Sequence, residues 1–149
     1  MAEEPTVSTP APVLGIVADV AVLVAIVVPY LIVPESAYSG LTVYYTSGLA
    51  GVFGAAGFAL VTLIAFAAGY KNRTEPVTVA GATIALGVFM VVLTLLWALA
   101  VPADVIGSIA TLESSLAATL MENHRWLILL FSLGVPASGV WYARALKLF

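Results

Sequence analysis

The chain is 149 residues long with a formal net charge of −3, and 62% of it is apolar while 9% is charged. Soluble domains carry about 25% charged residues, so water is not the main solvent of this chain. Its lack of cysteine excludes disulfides and thiolate chemistry, and five scattered Lys and Arg residues exclude a nucleic-acid backbone as partner.

Residues 1–12 contain Glu3 and Glu4 and no basic residue, which is not the pattern of a secretory signal. They are expected to form a short disordered tail, held off the first helix by Pro10 and Pro12. Four apolar runs follow, at residues 13–33, 48–70, 77–101 and 126–146. At about 1.5 Å per residue each is long enough for the roughly 30 Å hydrocarbon layer of a bilayer. In lipid the backbone must satisfy its own polar groups, so runs of this kind become helices. The expected fold is all-α, a polytopic four-helix transmembrane bundle.

Boundary chemistry fits these spans. Pro34 closes the first and Pro102 the third. Ser47 is the expected N-cap of the second, Thr74 of the third with Glu75 and Pro76 behind it, and Asn123 of the fourth. Pro29 and Pro136 fall inside spans, where neighbouring helices must re-satisfy the carbonyls that proline frees.

Lys71, Arg73, Arg144 and Lys147 gather on the side of the two termini. The opposite side holds Arg125 with Glu35, Asp104, Glu113 and Glu122. That bias predicts a multi-pass protein of the cell membrane with both termini cytoplasmic. Tyr30, Tyr44, Tyr45, Tyr70, Trp97, Trp126, Trp141 and Tyr142 fall near the expected interfaces, as an aromatic belt requires. In the first outer loop, residues 41–46 read either as a short strand or as the lead into the second span. The second outer loop, 104–122, repeats apolar residues at Val105, Ile109, Leu112, Leu116 and Leu120, which predicts an amphipathic helix lying on the outer leaflet or capping the bundle.

Two features stand out within the spans. Asp19 lies six residues into the first run, roughly 9 Å deep, where a carboxylate must face the interior and find a partner. It is either a proton or cation site or a structural acid, paired with Arg144 or Arg73 or donating to a carbonyl. The second feature is a glycine ladder, Gly48, Gly51, Gly54 and Gly57, which suits close helix packing within the chain or against another protein. His124 is the single histidine, at the expected outer start of the fourth span, and reads as a capping and headgroup-anchoring residue. No Ser-His-Asp set, HExxH, Walker loop or dinucleotide-binding glycine fingerprint is present, so no enzyme, cofactor or metal is expected.

Several stretches together resemble a family of small, uncharacterised four-span membrane proteins of halophilic archaea. They are Leu14-Gly15-Ile16-Val17-Ala18, Val28-Pro29-Tyr30, Tyr44-Tyr45-Thr46-Ser47-Gly48, Gly87-Val88-Phe89-Met90, Leu96-Trp97-Ala98, His124-Arg125-Trp126 and Trp141-Tyr142-Ala143-Arg144-Ala145-Leu146. The resemblance implies the four-span architecture and a salt-adapted source, and brings no activity with it. The layout also looks like a claudin-type tetraspan, by analogy alone, since the cysteine pair of that outer loop is missing and the loop is shorter. The leading functional expectation is a non-enzymatic scaffold, an accessory subunit of a membrane complex, or a homo-oligomer, in contact with lipids and a protein partner. The alternative is a minimal transporter or channel subunit that uses Asp19.

Overall fold

The computed structural model describes residues 9–111 and 115–149. In chain order its elements are α1 (Ala11–Ile32), a 3-10 turn (Glu35–Ala37), α2 (Tyr38–Thr46), α3 (Gly51–Tyr70), α4 (Pro76–Ala100), α5 (Ala103–Ala110) and α6 (Ser115–Ala145). Among the described residues, α1, α3, α4 and α6 are long and apolar enough to cross a bilayer, and no strand occurs. Large apolar side chains lie open on their outer faces, among them Leu31 at 78% and Ile64 at 66% exposure. Water would penalise such a surface and hydrocarbon does not. The chain is a multi-pass membrane bundle.

Contacts along each seam fix the direction of the helices. Ala18 faces Gly134, and Ala25 meets His124 further along, so α1 and α6 run antiparallel. Asp19 with Thr62 and Gly15 with Phe66 set α1 against α3. Gly69 with Val79 and Gly54 with Leu93 set α3 against α4, and Gly139 with Ile84 and Arg125 with Ala98 set α4 against α6. The four helices therefore go up and down in turn around a square, with α1 and α4 on one diagonal. Ala11 and Ala145 mark one end of the bundle, called the terminal end here, and α2 and α5 lie at the far end.

Small residues set the closest approaches, because van der Waals packing replaces the hydrophobic effect between helices in lipid. A methyl on Gly15 would overlap the Phe66 ring, and one on Gly87 would sit 2.8 Å from the backbone nitrogen of Pro136. The glycine ladder expected on the second span divides into different roles. Gly48 and Gly51 have positive φ, 75° and 57°, and shape the turn between α2 and α3 rather than a helix face. Gly54 faces Leu93 of α4, whereas a methyl on Gly57 would meet nothing within 4 Å.

Other boundaries also differ from the sequence expectation. Residues 38–46 form α2, a helix separate from α3. Ser47 does not cap α3, which begins at Gly51 after Ala50; its hydroxyl donates back to the Val43 carbonyl at 2.6 Å and finishes α2. Glu75 rather than Thr74 stands at the N-cap of α4, with Pro76 in its first turn. The fourth span starts at Ser115, so Asn123 is inside a helix and its amide donates to the Thr119 carbonyl. The amphipathic segment expected over 104–122 is not one helix: its first part is α5, which buries Ile106 and Ile109, and its last part opens α6 with Leu116 exposed. Leu112 and Glu113 lie outside the described residues, as do residues 1–8 of the expected tail. Within that tail Ala11 and Pro12 already belong to α1.

Candidate functional site

Buried polar chemistry concentrates at two levels of the bundle. At the far end α2 folds across the helix ends and turns Tyr44 and Tyr45 inward, both fully buried. Tyr44 packs edge-on to Trp97 with ring centroids 5.2 Å apart, and Tyr45 stacks on Tyr30 at 5.4 Å. Three of the eight residues expected in an aromatic belt, Tyr44, Tyr45 and Trp97, are thus core residues, and Tyr142 is buried as well. Tyr30, Tyr70, Trp126 and Trp141 keep the exposure that a belt requires.

The hydrogen bonds in this plug follow from the prolines. Proline has no N–H, so the carbonyl four residues before it loses its helical donor. Pro29 frees the carbonyl of Ala25, and His124 Nε2 reaches it at 2.6 Å. Pro34 frees the carbonyl of Tyr30, which accepts from the Tyr38 hydroxyl at 3.1 Å. Pro102 frees the carbonyl of Ala98, which accepts from Arg125 Nη1 at 3.0 Å. Neighbouring carbonyls are held in the same way: Tyr45 donates to Ile26, and Trp97 Nε1 donates to Tyr44 at 2.8 Å, closing the end of α2. An unmet carbonyl in hydrocarbon is costly, so His124, Tyr38 and Arg125 replace the donors that the prolines removed.

The partners of His124 assign its tautomer. Nε2 faces a carbonyl, which can only accept, so that nitrogen carries the hydrogen. Nδ1 lies 3.0 Å from the Tyr44 hydroxyl and accepts from it. Burial pushes the hydroxyls of both Tyr44 and Tyr45 up, Tyr44 against the opposing pull of the Arg125 charge, so both remain donors. Arg125 also lies at the C-terminus of α4, where a cation suits the helix dipole, and its guanidinium stands 5.0 Å from the Trp126 ring. His124 is therefore not the headgroup anchor expected from sequence. It is 2% exposed and joins α1, α2 and α6.

The second level lies near the terminal end. Asp19 stands eight residues in from Ala11, and Thr62 eight residues in from Tyr70. Both are roughly 12 Å deep, and Thr62 Oγ1 lies 2.7 Å from Asp19 Oδ1. Asp19 has no solvent-exposed surface, and its Oδ2 has no hydrogen-bond partner. Arg144 and Arg73 are both exposed at the terminal end, and the partner of Asp19 is the Thr62 hydroxyl rather than either guanidinium. Thr83 of α4 and Ser138 of α6, each seven residues from its own helix end, bring buried hydroxyls to a similar depth. Each of these hydroxyls donates to its own helix, Thr83 to Val79 and Ser138 to Gly134.

Residues 6–147 match the protein family described as a family of unknown function, DUF7548. The chain belongs to that family. No curated protein and no solved structure matches it. The DUF7548 match runs from ahead of α1 to beyond α6, so all four spans, the far-end plug and the Asp19 level fall within it.

Proposed function

We propose that this DUF7548 protein is a non-enzymatic structural bundle of the cell membrane, acting as a scaffold or as a subunit of a larger membrane assembly. One observation carries the reading: the buried polar side chains of the far end, and the Asp19–Thr62 pair, fasten helix to helix instead of lining a path. Asp19 has no surface that water can reach, and His124, Tyr45, Trp97 and Arg125 are each engaged with a backbone carbonyl. The alternative, a transporter subunit using Asp19, draws its support from the unpartnered Oδ2. The gathering of Lys71, Arg73, Arg144 and Lys147 toward the terminal end supports an orientation with both termini cytoplasmic. The acidic, lysine-poor composition supports a salt-adapted source.

The test is isolation from the native membrane in mild detergent, for the natural chain and for Gly57→Leu. Gly57 is exposed and a Cβ added there meets nothing within 4 Å, so the variant is expected to fold normally. The proposal expects a companion protein or further copies with the natural chain, and their loss from a Gly57→Leu chain that keeps its helicity locates the contact on α3. A bare monomer in both preparations would overturn the proposal.

A further inference from the structure

We infer that Asp19 is a proton-binding site, occupied in the closed bundle and shut off from water at the terminal end by the ring of Phe66. Thr62 Oγ1 lies 2.7 Å from Asp19 Oδ1 and 2.8 Å from the Phe58 carbonyl, but a hydroxyl has one hydrogen to give. If the carboxyl is ionised, that hydrogen serves only one of two acceptors, and a charged Oδ2 stays buried with no donor. If the carboxyl is protonated, it donates to Thr62 Oγ1 and Thr62 donates to Phe58. Oδ2 is then a neutral carbonyl oxygen instead of a bare charge, and no charge lies in hydrocarbon.

Among the described residues, no neighbouring charge offers to stabilise the ionised form. α3 contributes Tyr70 as its one titratable side chain, and it is exposed at the helix end. α6 contributes Tyr142 and the exposed Arg144 beyond the level of Ser138, and Glu122, His124 and Arg125 at the far end. α4, across the diagonal, carries no titratable group between Pro76 and Ala100. The 0% exposure leaves no space for a hydrated cation, so the ligand is the proton itself.

Gly15 and Phe66 define the closure. Gly15 is one turn before Asp19 on α1, and Phe66 is one turn after Thr62 on α3, so the pair lies directly between the carboxyl and the terminal end. Phe66 is fully buried against Gly15, whose missing side chain makes room for the ring. Deprotonation leaves a carboxylate on Asp19 and delivers the proton to water at that end, which requires the ring to move. The inference holds for a sealed scaffold as well as for a transporter.

The chain contains two aspartates, Asp19 and the exposed Asp104. Carbon-13 labelling of aspartate in the full chain, reconstituted in lipid bilayers, therefore gives two carboxyl resonances, and no substitution is needed. The Asp19 resonance is expected to keep the position of a protonated acid at neutral pH. Two ionised carboxyls at neutral pH would overturn the assignment. Deuterium exchange of the acid, followed by its infrared carbonyl band, tests the closure. Phe66→Ala is expected to speed exchange at least tenfold, and Gly15→Ala, which displaces the same ring, serves if Phe66→Ala does not fold. An unchanged exchange rate in the folded variant would overturn the role of Phe66.

Discussion

Gly87→Ala is expected to destabilise the bundle by about 3 kcal/mol, whereas Gly81→Ala on the same helix stabilises it by up to about 1 kcal/mol. The two glycines stand six positions apart in α4 and differ in what they face. A methyl at Gly87 would stand 2.8 Å from the nitrogen, 2.9 Å from Cδ and 3.1 Å from Cα of Pro136. Two of those atoms are backbone and the third belongs to a closed ring, so no rotamer change relieves the overlap and α4 and α6 must separate. A methyl at Gly81 meets nothing within 4 Å, and alanine there only improves helix propensity. Unfolding both variants in a denaturing detergent series checks the contrast in sign. Equal effects at the two positions would show that the α4–α6 seam does not pack as described.

His124→Ala is expected to cost about 3 kcal/mol in the same measurement. The substitution leaves a buried void, strands the Tyr44 hydroxyl and removes the donor to the Ala25 carbonyl. Pro29 makes the last loss permanent, because the residue four positions after Ala25 has no N–H to give. Pro29→Ala supplies that N–H. In the Pro29→Ala background, His124→Ala is therefore expected to cost about 1 kcal/mol less than in the natural chain. Strict additivity of the two substitutions would mean that His124 does not replace the lost helical donor.

The four spans were legible in the sequence because hydrocarbon leaves the backbone one choice, so length and apolarity suffice to place them. The prolines were legible too: the expectation that neighbours would re-satisfy the carbonyl freed inside the first span is met by His124. The identity of those neighbours was not legible, since pairing residues 25 and 124 depends on how the helices assemble. Residues 41–46 carry β-favouring side chains, yet Tyr44 and Tyr45 gain more from burial against Trp97 and His124 on a helix than from a strand without a partner strand. His124 was misread because Glu122, Asn123 and Arg125 around it resemble an interface. The helical spacing of Met121, His124, Ile128, Ser132 and Val135, all buried, was the signal that marks its face as interior. In the same way Gly15, Asp19, Val22 and Ile26 form one buried face of α1. The regular spacing of Gly48 to Gly57 points to a ladder that the structure divides, while Gly15, Gly87 and Gly139, which set the closest approaches between spans, stand singly in the sequence.

The central claim is that this bundle is closed, with His124, Tyr45, Trp97, Arg125 and the Asp19–Thr62 pair holding helices together. Proton permeability of sealed vesicles containing the purified chain tests it most directly. The expected leak equals that of protein-free vesicles and is unchanged by Asp19→Asn. A proton flux carried by the natural chain and abolished by Asp19→Asn would contradict it.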